Sequence, residues 1–179
     1  KTGKAKILAR RADWEALDGL VWTPWRSILF AEETITAQFP DPDAPRAQSG
    51  ILYEMKFEKD APTEVKEIKV RPMLGSLAHE GIEIDEEGNV YVIDEDRKGS
   101  IYKFVPNSYG DLSSGQLYVL RVKNGMKIGQ AEWVALDMNQ AQINARVAAQ
   151  AVNATPFCRP EDLERIRNTL YAALTCEDA

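Results

Sequence analysis

The sequence predicts an all-β protein, a β-propeller of four-stranded antiparallel blades with one inserted α-helix. Three observations carry this. Short apolar strands recur at even spacing with turn residues between them, and Tyr or Phe stands near strand ends, which suits propeller blades better than a sandwich. A strand–turn–strand unit returns with acids in the same places, the mark of a toroidal repeat. Residues 138–153 form the exception, a run of mainly Ala, Gln and Asn without glycine or proline. A propeller blade takes about 40 to 50 residues, so this chain is expected to hold about three or four blades. Closed propellers usually have more. The expectation is therefore a single domain over residues 1–179 that belongs to a longer chain or is completed by a partner chain. A start at Lys1 rather than Met, and an end inside a repeat at Glu177-Asp178-Ala179, fit that expectation.

The elements follow in order. Residues 5–39 read as strands punctuated by Asp18-Gly19, with Val21-Trp22 and then a mostly apolar run over 25–31. Residues 40–49 are dense in Pro, Asp, Ala and Gln and read as a surface loop. Residues 51–57 and 65–70 read as strands. Residues 82–85 and 90–94 flank Glu86-Glu87-Gly88-Asn89, the clearest hairpin in the chain. Residues 101–105 and 117–122 are two more strands, and Lys123-Asn124-Gly125 marks a tight turn. Residues 138–153 read as one amphipathic helix with Ile143, Val147 and Ala151 on its apolar stripe and Asp137 or Asn139 at the N-cap. Residues 161–170 would pass for a helix through Leu163, Ile166 and Leu170. Their alignment to the unit around Glu80, with one residue deleted, predicts strand–turn–strand instead.

The repeat carries the chemistry. An acidic doublet closes a short apolar strand three times: Glu32-Glu33, Glu95-Asp96 and Glu177-Asp178. Two of these strands are preceded by another acid in a similar frame, His79-Glu80-Gly81-Ile82 and Pro160-Glu161-Asp162-Leu163. Carboxylates gathered at one end of a torus repel one another unless a cation offsets them, which points to a hard metal ion on oxygen ligands. A formal net charge of -6 and the lack of a basic stripe argue against nucleic acid as a partner. No apolar run is long enough to span a bilayer as a helix. Two cysteines, Cys158 and Cys176, are too few for a disulfide framework or a closed zinc site; they either pair or stay free. His79 is the single histidine, and it reads either as a group orienting Glu80 or as a satisfied buried side chain. Glu33, Glu95 and Asp96 taken singly read as solvated strand ends, and Trp22, Trp25 and Trp133 as core between blades.

Three motifs carry a resemblance to a known family. The first is Thr23-Pro24-Trp25 leading to Glu32-Glu33. The second is His79-Glu80-Gly81, followed by Val90-Tyr91, Glu95-Asp96-Arg97 and Gly99-Ser100-Ile101-Tyr102. The third is Arg159-Pro160-Glu161-Asp162 leading to Leu170-Tyr171-Ala172. In this order and with this flanking text, the chain resembles the PhoX-like family of bacterial proteins, which includes calcium-dependent alkaline phosphatases.

The resemblance implies a propeller whose centre holds calcium, alone or together with iron, on glutamates, and which binds and polarises a phosphate ester. Residue by residue it implies Glu32, Glu80 and Glu161 as metal ligands. By their place in the acidic motifs, Glu33, His79, Asp162, Glu95 and Asp96 are candidate further or supporting groups; Arg97 and Arg159, next to those motifs, read either as phosphate-binding side chains or as groups holding neighbouring turns and carboxylates. The resemblance also implies a periplasmic or secreted protein, and places further ligands and blades outside these residues. Arg26 stands where the family usually has glycine, and Ala31 where cysteine is frequent. The expected function is thus a metal-dependent phosphoesterase. One alternative is a calcium-stabilised propeller that binds without catalysis. Another is a lactonase-type propeller hydrolase, ranked lower because of the Thr-Pro-Trp and Arg-Pro-Glu-Asp segments.

Overall fold

In a computed structural model, which describes residues 3–176, the chain is mostly antiparallel sheet. The first sheet has the order β1 (Leu17–Trp22), β2 (Ser27–Glu32), β3 (Leu52–Glu58) and β4 (Ala61–Val70). The second runs β5 (His79–Ile84), β6 (Val90–Asp94), β7 (Ile101–Pro106), β8 (Gly115–Val122) and β9 (Ala131–Ala135). The third is the hairpin β10 (Pro160–Ile166) and β11 (Thr169–Leu174). Each sheet is a meander, so its first strand lies at one edge, and the three first strands meet: β5 packs against β1 on one side and β10 on the other. This is the radial arrangement of propeller blades, with β1, β5 and β10 nearest the axis.

Such close approach needs positions without a side chain. A Cβ on Gly19 would lie 2.2 Å from the Glu80 carbonyl oxygen, and one on Gly81 would lie 2.4 Å from the Leu163 backbone nitrogen. The core fills the space between the first two blades. Leu29 and Leu52 meet Val92, Phe104 and Leu117 there, with Leu74 and Leu77 from the connecting segment.

The structure departs from the sequence expectations at several places. The second sheet has five strands rather than four. Strand β9 is rich in Ala and Glu and largely exposed, so it lacks an alternating pattern; backbone pairing to β8 (Leu120 opposite Trp133) makes it a strand. The third sheet has two strands among the described residues. Residues 5–16 form no strand. They lie over the outer face of the first blade, where Trp14 packs edge-on against Phe30 and Tyr53 at ring distances of 5.2 and 5.7 Å. Trp22 and Trp133 are 54% and 36% exposed, so neither is core between blades. Trp25 is the one that bridges blades: its Nε1 donates to Glu54 at 2.9 Å and its ring meets Tyr109 of the second blade.

Helix α1 (Met138–Ala151) forms as expected, with the Asp137 carboxylate accepting from the Asn139 and Gln140 amides. Its buried face differs from the expected stripe. Ala141, Ala145, Ala148 and Ala149 are buried, whereas Val147 is exposed. The reason is a backbone contact. At Asn144 the helix leaves helical angles (φ −161°, ψ 101°), the Ala145 amide donates to Ser76 O at 2.8 Å, and the Ser76 amide donates to Ala141 O at 2.9 Å. A loop lying against the helix backbone leaves room for methyl groups only.

Candidate metal centre

The inner strands of all three blades share one irregularity. The register of β1 with β2 shifts between Asp18 and Leu20, that of β5 with β6 between His79 and Ile82, and that of β10 with β11 between Pro160 and Asp162. Each shift is a β-bulge, which re-aims a side chain at a sheet edge. The residue at each bulge is an acid: Asp18, Glu80 and Glu161. The strand that returns from each hairpin is tied to the residue before the bulge by the same backbone bond. Glu33 N donates to Ala16 O (3.0 Å), Glu95 N to Ala78 O (2.8 Å) and Thr175 N to Arg159 O (2.9 Å). The blades therefore superpose their acids as Asp18, Glu80, Glu161 and as Glu33, Glu95, with Thr175 in the third blade.

These five carboxylates meet in two overlapping triads. Asp18, Glu33 and Glu80 offer oxygens within 4.8 Å of one another, and so do Glu80, Glu95 and Glu161. Each triad takes both acids of one blade and the bulge acid of the next, so Glu80 is shared. Asp18, Glu80 and Glu161 border a cleft of about 550 Å³ walled by β1, β5 and β10.

The electrostatics show the strain of this convergence. A hydrogen bond to Glu95, then burial, then the neighbouring negative charges push the Glu33 carboxyl up to about 7. Burial, followed by Asp18, Glu95 and Glu161, pushes Glu80 up to about 7 as well. Glu161 is raised too, first by burial and then by Glu95. Glu95 moves the other way: burial opposes its charge, but hydrogen bonds from Glu33 and Arg159 outweigh it and its pKa is lowered. Arg159 is the cation that reaches the cluster, bonded to Glu95 through Nε (2.8 Å) and Nη2 and 3.4 Å from Glu161.

The other residues singled out from the sequence are placed as follows. Glu32 lies outside both triads. It follows the strand alternation to the opposite face from Glu33 and is buried, accepting from the Glu15 amide (3.0 Å), the Ile51 amide (3.3 Å) and Tyr53 Oη (3.4 Å). His79 is likewise turned from Glu80 into the interior, where Nε2 donates to Gly75 O at 3.1 Å. Burial brings its pKa down to about 4, so the ring is neutral. Asp162 lines the cleft beside Glu161 and accepts from the Leu163 amide, outside both triads. Asp96 caps the turn that follows β6 and lies 3.5 Å from Arg146. Arg97 is exposed in that turn. The doublet Glu177-Asp178 lies outside the described residues. Cys158 and Cys176 are joined as a disulfide.

Two residues of the candidate site escaped the sequence reading. Asp18 was read only as a turn signal, although Asp18-Gly19-Leu20 repeats the acid–glycine–apolar order of Glu80-Gly81-Ile82. Arg146, on α1, grips buried Asp94 through two bonds of 2.6 Å and so fixes the end of β6 from which Glu95 projects. Nothing local in the sequence announces that pairing across 52 residues.

Comparison with known proteins agrees with this architecture. The family model described as alkaline phosphatase PhoX matches residues 21–178. No curated protein matches the chain by sequence. Among solved structures, Pseudomonas fluorescens PhoX in complex with vanadate, a transition state analogue, aligns with a TM-score of 0.58 at 22% identity, over 82% of this chain and 36% of that one. The chain thus spans little more than a third of the length of that solved chain, and the likeness speaks for the propeller fold. Because the family match runs across nearly the whole sequence, the chain belongs to the alkaline phosphatase PhoX family.

Proposed function

We propose that the chain carries part of the metal centre of a phosphoesterase, with calcium, alone or together with iron, held by Asp18, Glu33, Glu80, Glu95 and Glu161. The observation that carries this reading is the pair of triads sharing Glu80. The donor set fits a hard cation: every ligand atom is a carboxylate oxygen, with no thiolate or imidazole among them. Their spacing suits metal–oxygen bonds in the calcium range of about 2.3–2.6 Å. A cation bound there would polarise a phosphate ester and lower the pKa of an attacking water. The chain's own contribution is positional. Arg159, 44% exposed at its side chain, offers donors toward a phosphoryl oxygen while steadying Glu95 and Glu161. Glu80 ties the two triads to one strand, so both are placed by the same bulge. The disulfide supports an oxidising location, periplasmic or secreted. Exposed Leu20 and Trp22 on the first blade, and Ile166 and Tyr171 on the third, support further chain or a partner covering those faces.

The test is elemental mass spectrometry after gel filtration in calcium, with and without iron, alongside phosphate release from p-nitrophenyl phosphate. Near-stoichiometric metal that is lost in Glu80→Gln, together with phosphate release, is the expected result. Metal uptake with no release from a broad ester panel would favour the second reading, a calcium-stabilised binding propeller. No uptake by the intact protein would overturn both.

A further inference from the structure

The third blade holds its cluster residues differently from the first two. In those blades the inner hairpin is backed by further strands, β3–β4 and β7–β9, and its return strand leads into an acid, Glu33 or Glu95. In the third blade Thr175 stands in the acid's place. The Thr175 hydroxyl donates to Glu161, and its amide donates to Arg159 O. Arg159 has a φ of 48°, a left-handed conformation that an unconstrained arginine avoids, and its amide donates to Asp96 O at 2.8 Å. Directly outside this pair come Cys158, before Arg159, and Cys176, after Thr175, joined covalently.

We infer that the Cys158–Cys176 disulfide and the Thr175 hydroxyl are positioning elements for Arg159 and Glu161, so that cation uptake at the Glu80–Glu95–Glu161 triad depends on the thiol redox state. The affinity readout rests on the metal-centre reading above; a second readout does not. Strand ends are the first part of a hairpin to open, and opening here would withdraw both the guanidinium and a ligand carboxylate. The half-buried disulfide closes the hairpin at that end. Reduction by a dithiol breaks the S–S bond, Cys158 and Cys176 each take a proton, and the reductant leaves as its own disulfide.

Calcium titration of oxidised protein, dithiothreitol-reduced protein and the Cys158→Ser/Cys176→Ser variant tests the inference. Loss of a group that orients a metal ligand costs about tenfold or more in affinity, and a loss of about tenfold is expected on reduction. Glu161→Gln should weaken uptake in the oxidised protein and add nothing in the reduced one, whereas Glu33→Gln should cost the same in both. Thr175→Val, which keeps the disulfide, should reproduce part of the loss. Equal affinity in both redox states, or a Glu161→Gln effect of the same size in both, overturns the inference. Should the oxidised protein take up no calcium, the metal-centre reading falls and amide exchange judges the clamp by itself. Faster exchange at Thr175 and Arg159 on reduction, with the Glu95 amide unchanged, supports it; unchanged exchange at all three overturns it.

Discussion

Glu80 belongs to both triads, so removing its charge is the most informative perturbation. In the metal-free protein its pKa is pushed up to about 7 from an ordinary 4.5, first by burial and then by Asp18, Glu95 and Glu161. Between those two values the folded chain binds more protons than the unfolded one, so stability falls as pH rises through this window. The cost is absent below it and complete above it. At about 1.4 kcal/mol per pH unit the ceiling is about 3 kcal/mol. Solvent screening of a part-exposed cluster reduces this to about 1–2 kcal/mol. In chelator at pH 8, Glu80→Gln should therefore melt about 3–6 °C above wild type, whereas at pH 4.5 the two should melt within about 1 °C. Excess calcium should reverse the order at pH 8, because wild type gains binding energy that the glutamine variant forgoes. Differential scanning calorimetry at the two pH values, with EDTA or calcium, is sufficient. A variant less stable than wild type in EDTA by the same amount at both pH values would refute the reasoning. It would mean that Glu80 serves as a structural acceptor rather than as a repelled charge.

Four further predictions are read by melting, calcium titration or urea unfolding. Glu33→Gln should weaken calcium uptake about tenfold and, because its carboxyl is likewise pushed up to about 7, should raise metal-free melting at pH 8 but not at pH 4.5. Glu32→Ala should leave uptake intact but cost about 1–3 kcal/mol, since the Glu15 and Ile51 amides lose their acceptor. Arg146→Met leaves Asp94 buried without its partner and should destabilise by about 3–5 kcal/mol in urea unfolding. Arg26 holds a φ of 68° in the turn between β1 and β2, so Arg26→Gly should raise stability by about 0.5–1 kcal/mol, and a loss would show that its side chain compensates.

Much of the blade pattern was legible because short apolar strands and Gly-containing turns are local signals. Helix α1 announced itself by composition and by its Asp137 cap, yet its buried face did not. The loop at Ser76 selects alanines there, and that loop is distant in sequence. The acids Glu33, Glu80, Glu95 and Glu161 were visible in the repeat. What sequence could not resolve was which member of Glu32-Glu33 faces the axis, because that depends on the register of β1 against β2. Asp18 could have been found from its glycine neighbour, the same pairing that marks Glu80. Strand β9 had no such signal, since its partner's backbone, not its own side chains, makes it a strand.

The bulges also bear on how this chain tolerates change in length. Side chains alternate along a strand, so one extra residue puts the two halves of an inner strand out of phase with each other. In β5 this lets His79 lie in the interior, Glu80 reach the axis and Ile82 return to the core, with pairing to β6 interrupted only between His79 and Ile82. Strict alternation with every residue kept would put Glu80 and Ile82, two positions apart, on one face, so either Glu80 would enter the apolar interior or Ile82 would leave it. Losing Gly81 would instead make the two neighbours and leave them on opposite faces. The inner strand can thus shorten by one residue at the bulge without turning its carboxylate inward, and what it would lose is the local bend that aims that carboxylate.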